Sequence, residues 1–318
     1  MRRAALFSMV ASSALILTRL ASAECRAPTE ACVDAEPMWQ SPSAVRLTVV
    51  SDTAAMELGK LALGAGFTLR AKPAVLNVPA PNQSGRDVNL ISSAVGWSLV
   101  GRIGIGNRLE LTALAAGLSQ RGAGIKGVTS QSAAAIDSPA LQDPRLGFGY
   151  ALPPLAPRLA AKIRFEAKLP LGNAEALAGD RSFVASPSVA LSSQQGGFFA
   201  GLELGARLRR PSDFFGLRIG SQALIAAGAG YELTGPRLSF AVELYVLPSL
   251  IDSGISSYVP AEWLYTTRFA PRLFGNFSVG AGMGAGLPLS GGGGGANLGF
   301  GLPSYRVLAY VRLTPPSE

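Results

Sequence analysis

The chain of 318 residues contains no histidine. That absence excludes every Ser-His-Asp, Cys-His or Asp-His catalytic arrangement and removes the commonest metal ligand. Charge is scarce as well: Asp, Glu, Lys and Arg make up 15% of the residues, against about 25% in typical soluble domains. Beyond residue 23 there is no uncharged apolar run of the roughly 18 residues a helical membrane span requires. Only two cysteines occur, Cys25 and Cys32. They lack CxxC spacing and histidine co-ligands, so a metal or redox role is set aside for a disulfide closing a small loop in an oxidising compartment. Asp143, Glu166 and Glu175 are the carboxylates nearest to an acid–base set, and solvated or wall-bound carboxylates of this kind are read as structural. The glycine run Gly291–Gly295 lies between two strands, not between a strand and a helix, so it is an outer loop and no phosphate cradle. No catalytic residue, cofactor or metal site is expected, and the chain does not read as an enzyme.

What is present begins with a secretory signal over residues 1–23. Arg2 and Arg3 form its charged start, Ala4 to Leu17 are mostly apolar, and Ala21-Ser22-Ala23 supplies the cleavage site. With Arg2, Arg3 and Arg19 removed, the formal charge of +8 falls to +5. That is too mild to argue for nucleic acid, which an exported chain would not meet. Mean hydropathy is +0.30 and glycine is abundant at 38 residues. Moderate hydrophobicity spread along a chain with no long apolar block is what lipid-facing strand positions alternating with lumen positions produce.

The clearest instance is Arg158–Leu169, RLAAKIRFEAKL. Leu159, Ala161, Ile163, Phe165, Ala167 and Leu169 alternate with Arg158, Lys162, Arg164, Glu166 and Lys168, only Ala160 being uncharged on the second face. Successive strand side chains point to opposite faces, so one face is greasy and the other charged. A transmembrane strand needs about 9–11 such residues. Turning it the other way would put four basic groups on lipid, at about 2–4 kcal/mol for each one near the bilayer midplane.

Twelve segments of this kind are read, at about 60–70, 89–103, 108–118, 143–152, 158–169, 182–191, 198–209, 216–233, 237–247, 259–269, 273–287 and 305–313. The sixth contains Pro187, which demands a bulge or an exposed edge. Connections at 71–88, 119–142, 170–181, 248–258 and 288–304 are long, and those between them are short. Bacterial outer-membrane barrels keep that rhythm, with short periplasmic turns and longer extracellular loops. One connection, 210–215, is short where a long one is due. The expected fold is all-β: an antiparallel transmembrane β-barrel of about 12 strands over residues 59–314, with a tail at 315–318. Residues 24–58, rich in Pro, Ala, Ser and acidic residues, read as a periplasmic arm or a plug within the barrel.

The polar faces nominate Arg158, Lys162, Arg164, Glu166, Lys168, Glu203, Arg207, Arg218, Glu232 and Glu243 as lumen-lining, with Glu262 and Arg268 beside them. Two readings stand: a pore whose charges select solutes, or an ion-paired filler that braces a small barrel. Passive transport of small solutes through the lumen is the leading function, and a structural or interaction barrel with a closed lumen and exposed loops is the alternative. The implied partners are outer-membrane lipid and small solutes.

Gln142–Leu152, QDPRLGFGYAL, followed by a basic strand ending in KLPLGNAEALAGD, Lys168–Asp180, resembles a pattern of deltaproteobacterial and myxobacterial outer-membrane barrels. In these an Asp-x-Arg-x-Gly strand start precedes a strand ending in a Leu-Pro-x-Gly loop and a Gly-Asp. The resemblance is to transporter or OmpA-type N-terminal barrels, related in pattern to barrels of meta-pathway phenol degradation. It implies residence in the outer membrane of a Gram-negative bacterium. Many such chains continue into a peptidoglycan-binding domain, whereas this one ends at Glu318. Its last strand closes on Arg312-Leu313 and a Pro-Pro tail in place of a terminal aromatic.

Overall fold

A computed structural model describes residues 34–36, 38, 40–78, 86–124, 136–180, 182–214, 217–233, 235, 237–250, 259–271, 276–287, 289 and 301–315. The signal sequence, Cys25, Cys32 and the glycine run 291–295 lie outside the described residues.

The strands are β1 (Leu61–Val78), β2 (Arg86–Gly104), β3 (Leu109–Gly122), β4 (Ile136–Leu141), β5 (Arg145–Ala151), β6 (Leu159–Lys168), β7 (Val184–Gln195), β8 (Phe198–Arg207), β9 (Ser212–Phe214), β10 (Leu217–Ile219), β11 (Gln222–Leu233), β12 (Leu238–Val246), β13 (Ala261–Phe269), β14 (Phe277–Gly286) and β15 (Tyr305–Leu313). Neighbours pair antiparallel around the molecule. β15 pairs with β1 from Leu63↔Leu313 to Ala71↔Tyr305, which closes the sheet. β4 and β5 both pair with β3 and act as one stave, while β9 and β10 form a hairpin of their own. The result is a closed antiparallel barrel of 12 staves. Closure pairs every stave with a neighbour on each side and leaves free edges to the extensions such as β4 and the β9–β10 hairpin, the condition for backbone to lie in hydrocarbon.

The period of two decides which side chains face out. Phe67, Val95, Leu99, Leu111, Ile163 and Val242 are exposed apolar residues on the outer surface. On that surface Phe148 and Phe165, cross-strand partners, stack with ring centroids 5.6 Å apart. Tyr150, Phe198, Tyr231 and Phe269 are exposed at the strand ends next to the short turns, where amphipathic rings suit a membrane interface. The short connections, 105–108, 152–158, 196–197, 234–237 and 270–276, share one rim with the two ends of the barrel chain.

The boundaries depart from the sequence expectation in four places. β1 runs past Arg70 to Val78 through a register shift at Ala71–Val75. There Lys72 takes a positive φ of 46° and the bulge absorbs Pro73, which has no N–H to give the ladder. The expected segment 143–152 is preceded by β4, the two being separated by Gln142-Asp143-Pro144. Residues 216–233 are not one strand: 217–219 turn back on 212–214, so the connection 208–221 is a long one carrying a hairpin. It is tied at its base by Arg209, whose Nε donates to the Gly220 carbonyl at 3.1 Å. The anomalous short connection therefore does not exist. Pro187 sits on neither a bulge nor an edge; it pairs with Phe165 on β6. The β7–β8 ladder stops at Ser188↔Gly205 and resumes as a single bridge, Ala185↔Leu208, so the missing N–H costs rungs without shifting the register.

Candidate functional site

The described residues between 40 and 53 pack against inward side chains of the strands. Val49 and Val50 are fully buried, and partners come from staves all around the wall. The Glu243 carboxylate of β12 accepts the backbone N–H groups of Thr48 at 2.7 Å and Val49 at 2.8 Å. Glu203 of β8 accepts the Ser51 N–H at 2.9 Å. From the facing staves, Arg102 and Lys162 both donate to the Ala54 carbonyl at 2.8 Å, and Arg145 donates to Gln40 at 2.7 Å. A segment without regular structure must satisfy its buried backbone groups with side chains, because a lost partner there is costly. The inward charges supply those partners. Leu47, Val49 and Val50 add an apolar cluster with Phe199, Leu224, Tyr245 and Leu264.

Much of the remaining charge is paired within the wall, as burial in a medium of low dielectric favours. Lys162 meets Glu110 at 3.0 Å, Glu110 meets Arg102 at 2.6 Å, and Arg164 meets Glu203 at 2.9 Å. Glu166 is held by Arg145 at 3.0 Å. Arg306, fully buried on β15, binds Glu262 of β13 and reaches Glu36 of the segment at 2.9 Å. Glu36 also pairs with Arg70. Burial pushes the Glu36 carboxyl up, but the Arg306 and Arg70 guanidinium groups outweigh it and hold it below the usual carboxylate range.

At the long-loop end, Asp34, Asp143 and Asp180 converge on Lys168, which meets Asp34 and Asp180 at 2.7 Å each and Asp143 at 3.5 Å. The ammonium occupies the place a metal cation would take. Among the described residues no group of three or more metal-ligating side chains is open to an ion. Asp143 also accepts the N–H groups of Gly172 and Asp180, both at 2.7 Å. The two stretches that carry the family resemblance therefore meet here, and their residues brace the loop after β6. A Cβ at Gly172 would lie 2.7 Å from the Asp143 nitrogen, so only glycine lets the two connections approach this closely. Burial raises the Asp143 carboxyl, against Lys168. Burial also disfavours the Asp180 carboxylate, but Lys168, Arg209 and Arg207 overcome it and lower its pKa strongly.

Of the nominated residues, Lys162, Arg164, Glu166, Lys168, Glu203, Arg207 and Glu243 are buried, and all but Arg207 belong to the pairs just described. Arg207 lies near Asp180 and Asp34. Arg158 departs from the expectation: β6 begins one residue after it, and it stands exposed in the short turn at the mouth of a cavity of about 670 Å³. Glu232 is only partly buried, near the short-turn rim, 3.7 Å from Arg46. The side chain of Arg218 lies outside the described residues. The sequence reading did not nominate Arg70, Arg102, Glu110 and Arg306, although each sits at an inward position of an alternating strand, the same signal that marked β6.

No family model matches the chain, and no curated protein matches it. The barrel is similar to the COG4313 outer membrane channel from Pseudomonas putida F1, with a TM-score of 0.55 and 12% identity over 83% of this chain and 98% of that one. It also aligns with a KdgM porin in complex with disordered oligogalacturonate, at TM-score 0.45 and 8% identity over 80% and 99% of the two chains. A third match is the CymD monoaromatic hydrocarbon channel, at TM-score 0.41 and 10% identity over 82% and 90%. The first likeness establishes the fold of an outer-membrane β-barrel; the other two are too loose to argue from.

Proposed function

We propose that the protein is an outer-membrane channel for small solutes in which residues 34–58 act as a plug that narrows the lumen. The observation that carries this reading is the binding of the segment's backbone by inward carboxylates and basic groups from opposite walls. Side chains alone fill a barrel of about 8 strands, and 12 staves leave a wider interior that the segment narrows. The nominated inward charges then have two duties, bracing the wall and holding the plug. The narrower resemblance, to deltaproteobacterial barrels of the phenol-degradation type, rests on the Gln142–Asp180 pattern and is compatible with transport. No catalytic role is assigned.

Planar-bilayer recording tests the proposal. The full chain should give small conductance steps, and a variant lacking residues 40–56 should give clearly larger ones. Absence of current from both, in protein that is folded by its strand-rich spectrum, would sink the channel and favour the closed interaction barrel.

A further inference from the structure

The rim that carries the short turns repeats one local sequence. Six strands start there, β1, β3, β6, β8, β12 and β14. Four of them begin on a leucine preceded directly by a basic residue: Lys60-Leu61, Arg108-Leu109, Arg158-Leu159 and Arg237-Leu238. The pair recurs in the sequence at Arg272-Leu273, outside the described residues. None of the connections 105–108, 152–158, 196–197, 234–237 and 270–276 contains an Asp or Glu. The opposite rim carries both signs, with Arg121 paired to Asp137 at 3.6 Å. Alternation along a strand accounts for the leucines, and it does not by itself ask for a cation before each of them.

We propose that these residues form a basic collar that binds anionic phospholipid headgroups of the leaflet around the short-turn rim. The inference goes beyond the channel reading and stands on the barrel fold alone. Arg108, Arg158 and Arg237 are exposed, and their side chains have no ion pair or hydrogen bond among the described residues. Lys60 is the weaker member, with Glu57 at 3.8 Å. The backbone beneath two of the arginines is pinned. The Arg108 carbonyl accepts the Ala151 N–H at 2.9 Å, and the Arg237 carbonyl accepts the Ala270 N–H at 3.1 Å. Guanidinium groups held on a fixed frame and lacking a carboxylate suit phosphate, which they bind through two parallel N–H bonds.

Placement selects a membrane over a soluble partner. In the ring of 12 staves the four basic residues stand at the first, third, fifth and ninth, counted from β1 through β2. They therefore surround the barrel instead of forming a patch on one side, and the leaflet is what meets a barrel rim on every side. The leucines that follow them point outward: Leu61, Leu109 and Leu159 are 53%, 40% and 36% exposed. With the exposed aromatic rings at the same end they mark the apolar boundary just inside the rim. A basic side chain one residue beyond such a boundary lays its stem on apolar surface and keeps its head among the headgroups. Anionic lipid attracts it there.

The test is the lipid selectivity of the folded full chain in phosphatidylcholine vesicles. It is read from the motionally restricted fraction of spin-labelled phosphatidylglycerol against that of spin-labelled phosphatidylcholine. Phosphatidylglycerol should be preferred several-fold, and the preference should collapse in about 1 M salt, where the Debye length is about 3 Å. Combining Arg108→Gln, Arg158→Gln and Arg237→Gln should bring the ratio near unity, whereas the three lysine substitutions together should keep most of it. Arg121→Gln, at the opposite rim, should leave it unchanged. Equal binding of the two lipids by the native chain overturns the collar, and so does a preference that survives the triple glutamine variant or falls as far with Arg121→Gln. If the triple variant does not fold, the three single glutamine variants decide: each should lower the ratio, and no change in any of them overturns the proposal. Soluble glycerol phosphate separates the sources of phosphate. A preference that persists in its presence supports a lipid surface, and one abolished by it at constant ionic strength assigns the arginines to a free phosphate and overturns the lipid collar.

Discussion

At the scale of single residues, Glu243 bears most on the state of the lumen. Among the described residues no cation lies at hydrogen-bond distance from its buried carboxylate, which is held by the N–H groups of Thr48 and Val49. Glu243→Ala strands both donors, at about 1–3 kcal/mol for each buried group left unpaired, so the displaced state of the segment should gain roughly tenfold or more in population. Limited proteolysis of folded protein reads this directly: cleavage within residues 40–56 should quicken while the barrel core stays resistant. An unchanged rate would mean that the apolar cluster alone retains the segment. The inward position of Glu243 was legible in the sequence, since it alternates with Val242 and Leu244. Its partner, 195 residues earlier in the chain, was not, because no local pattern encodes a contact of that range.

At the scale of elements, the alternation on β6 and β7 makes a sharp statement about which solvent each residue meets. Ser188 is buried on the inner face, with its hydroxyl 2.8 Å from Glu203, and the adjacent Val189 is 43% exposed on the outer one. In protein lacking the native cysteines, a fluorophore on Val189→Cys should be quenched by a lipid-embedded quencher. Ser188→Cys should resist a water-soluble thiol reagent in the full chain and react only when residues 40–56 are removed. Quenching at 188 in place of 189 would reverse the register of the strand. A one-residue slip moves every side chain to the other face, so no intermediate answer is available. The brace at the β4–β5 break belongs to this scale too. The Asp-x-Arg-x-Gly start and the Leu-Pro-x-Gly and Gly-Asp endings could be seen in the sequence as a pattern, and their meeting through Asp143, Gly172 and Asp180 gives the pattern its physical reason.

At the scale of the whole molecule, the outer end of the segment is fastened by charge, which makes its release a matter of pH. Glu36 and Asp180 both have lowered pKa values. Carboxylates shifted down contribute stability above their unfolded pKa of about 4 and lose it as the pH falls through their folded values. Asp143, shifted up by burial, works in the opposite sense, its contribution being present at low pH and fading as the pH rises through its folded value. With two groups against one, the segment should stay fastened from pH 8 to pH 5 and loosen only in acid below the ordinary carboxylate range. Hydrogen exchange over residues 34–58 measures this, and loss of protection already at pH 5 would contradict the assignment.

The sequence by itself determined the barrel, the outward and inward faces of its alternating strands, and the rhythm of long and short connections. All three follow from local periodicity and turn chemistry, which a strand of ten residues expresses on its own. It left residues 24–58 between an arm and a plug, because that stretch has no periodicity to read. Only the tertiary structure decided which charges meet, which inward carboxylates take the backbone N–H groups of Thr48, Val49 and Ser51, and where the hairpin of β9 and β10 interrupts the long connection. Those outcomes depend on groups more than a hundred residues apart being brought to hydrogen-bond distance inside a closed sheet. Burial there makes a charge or a backbone N–H left without a partner costly.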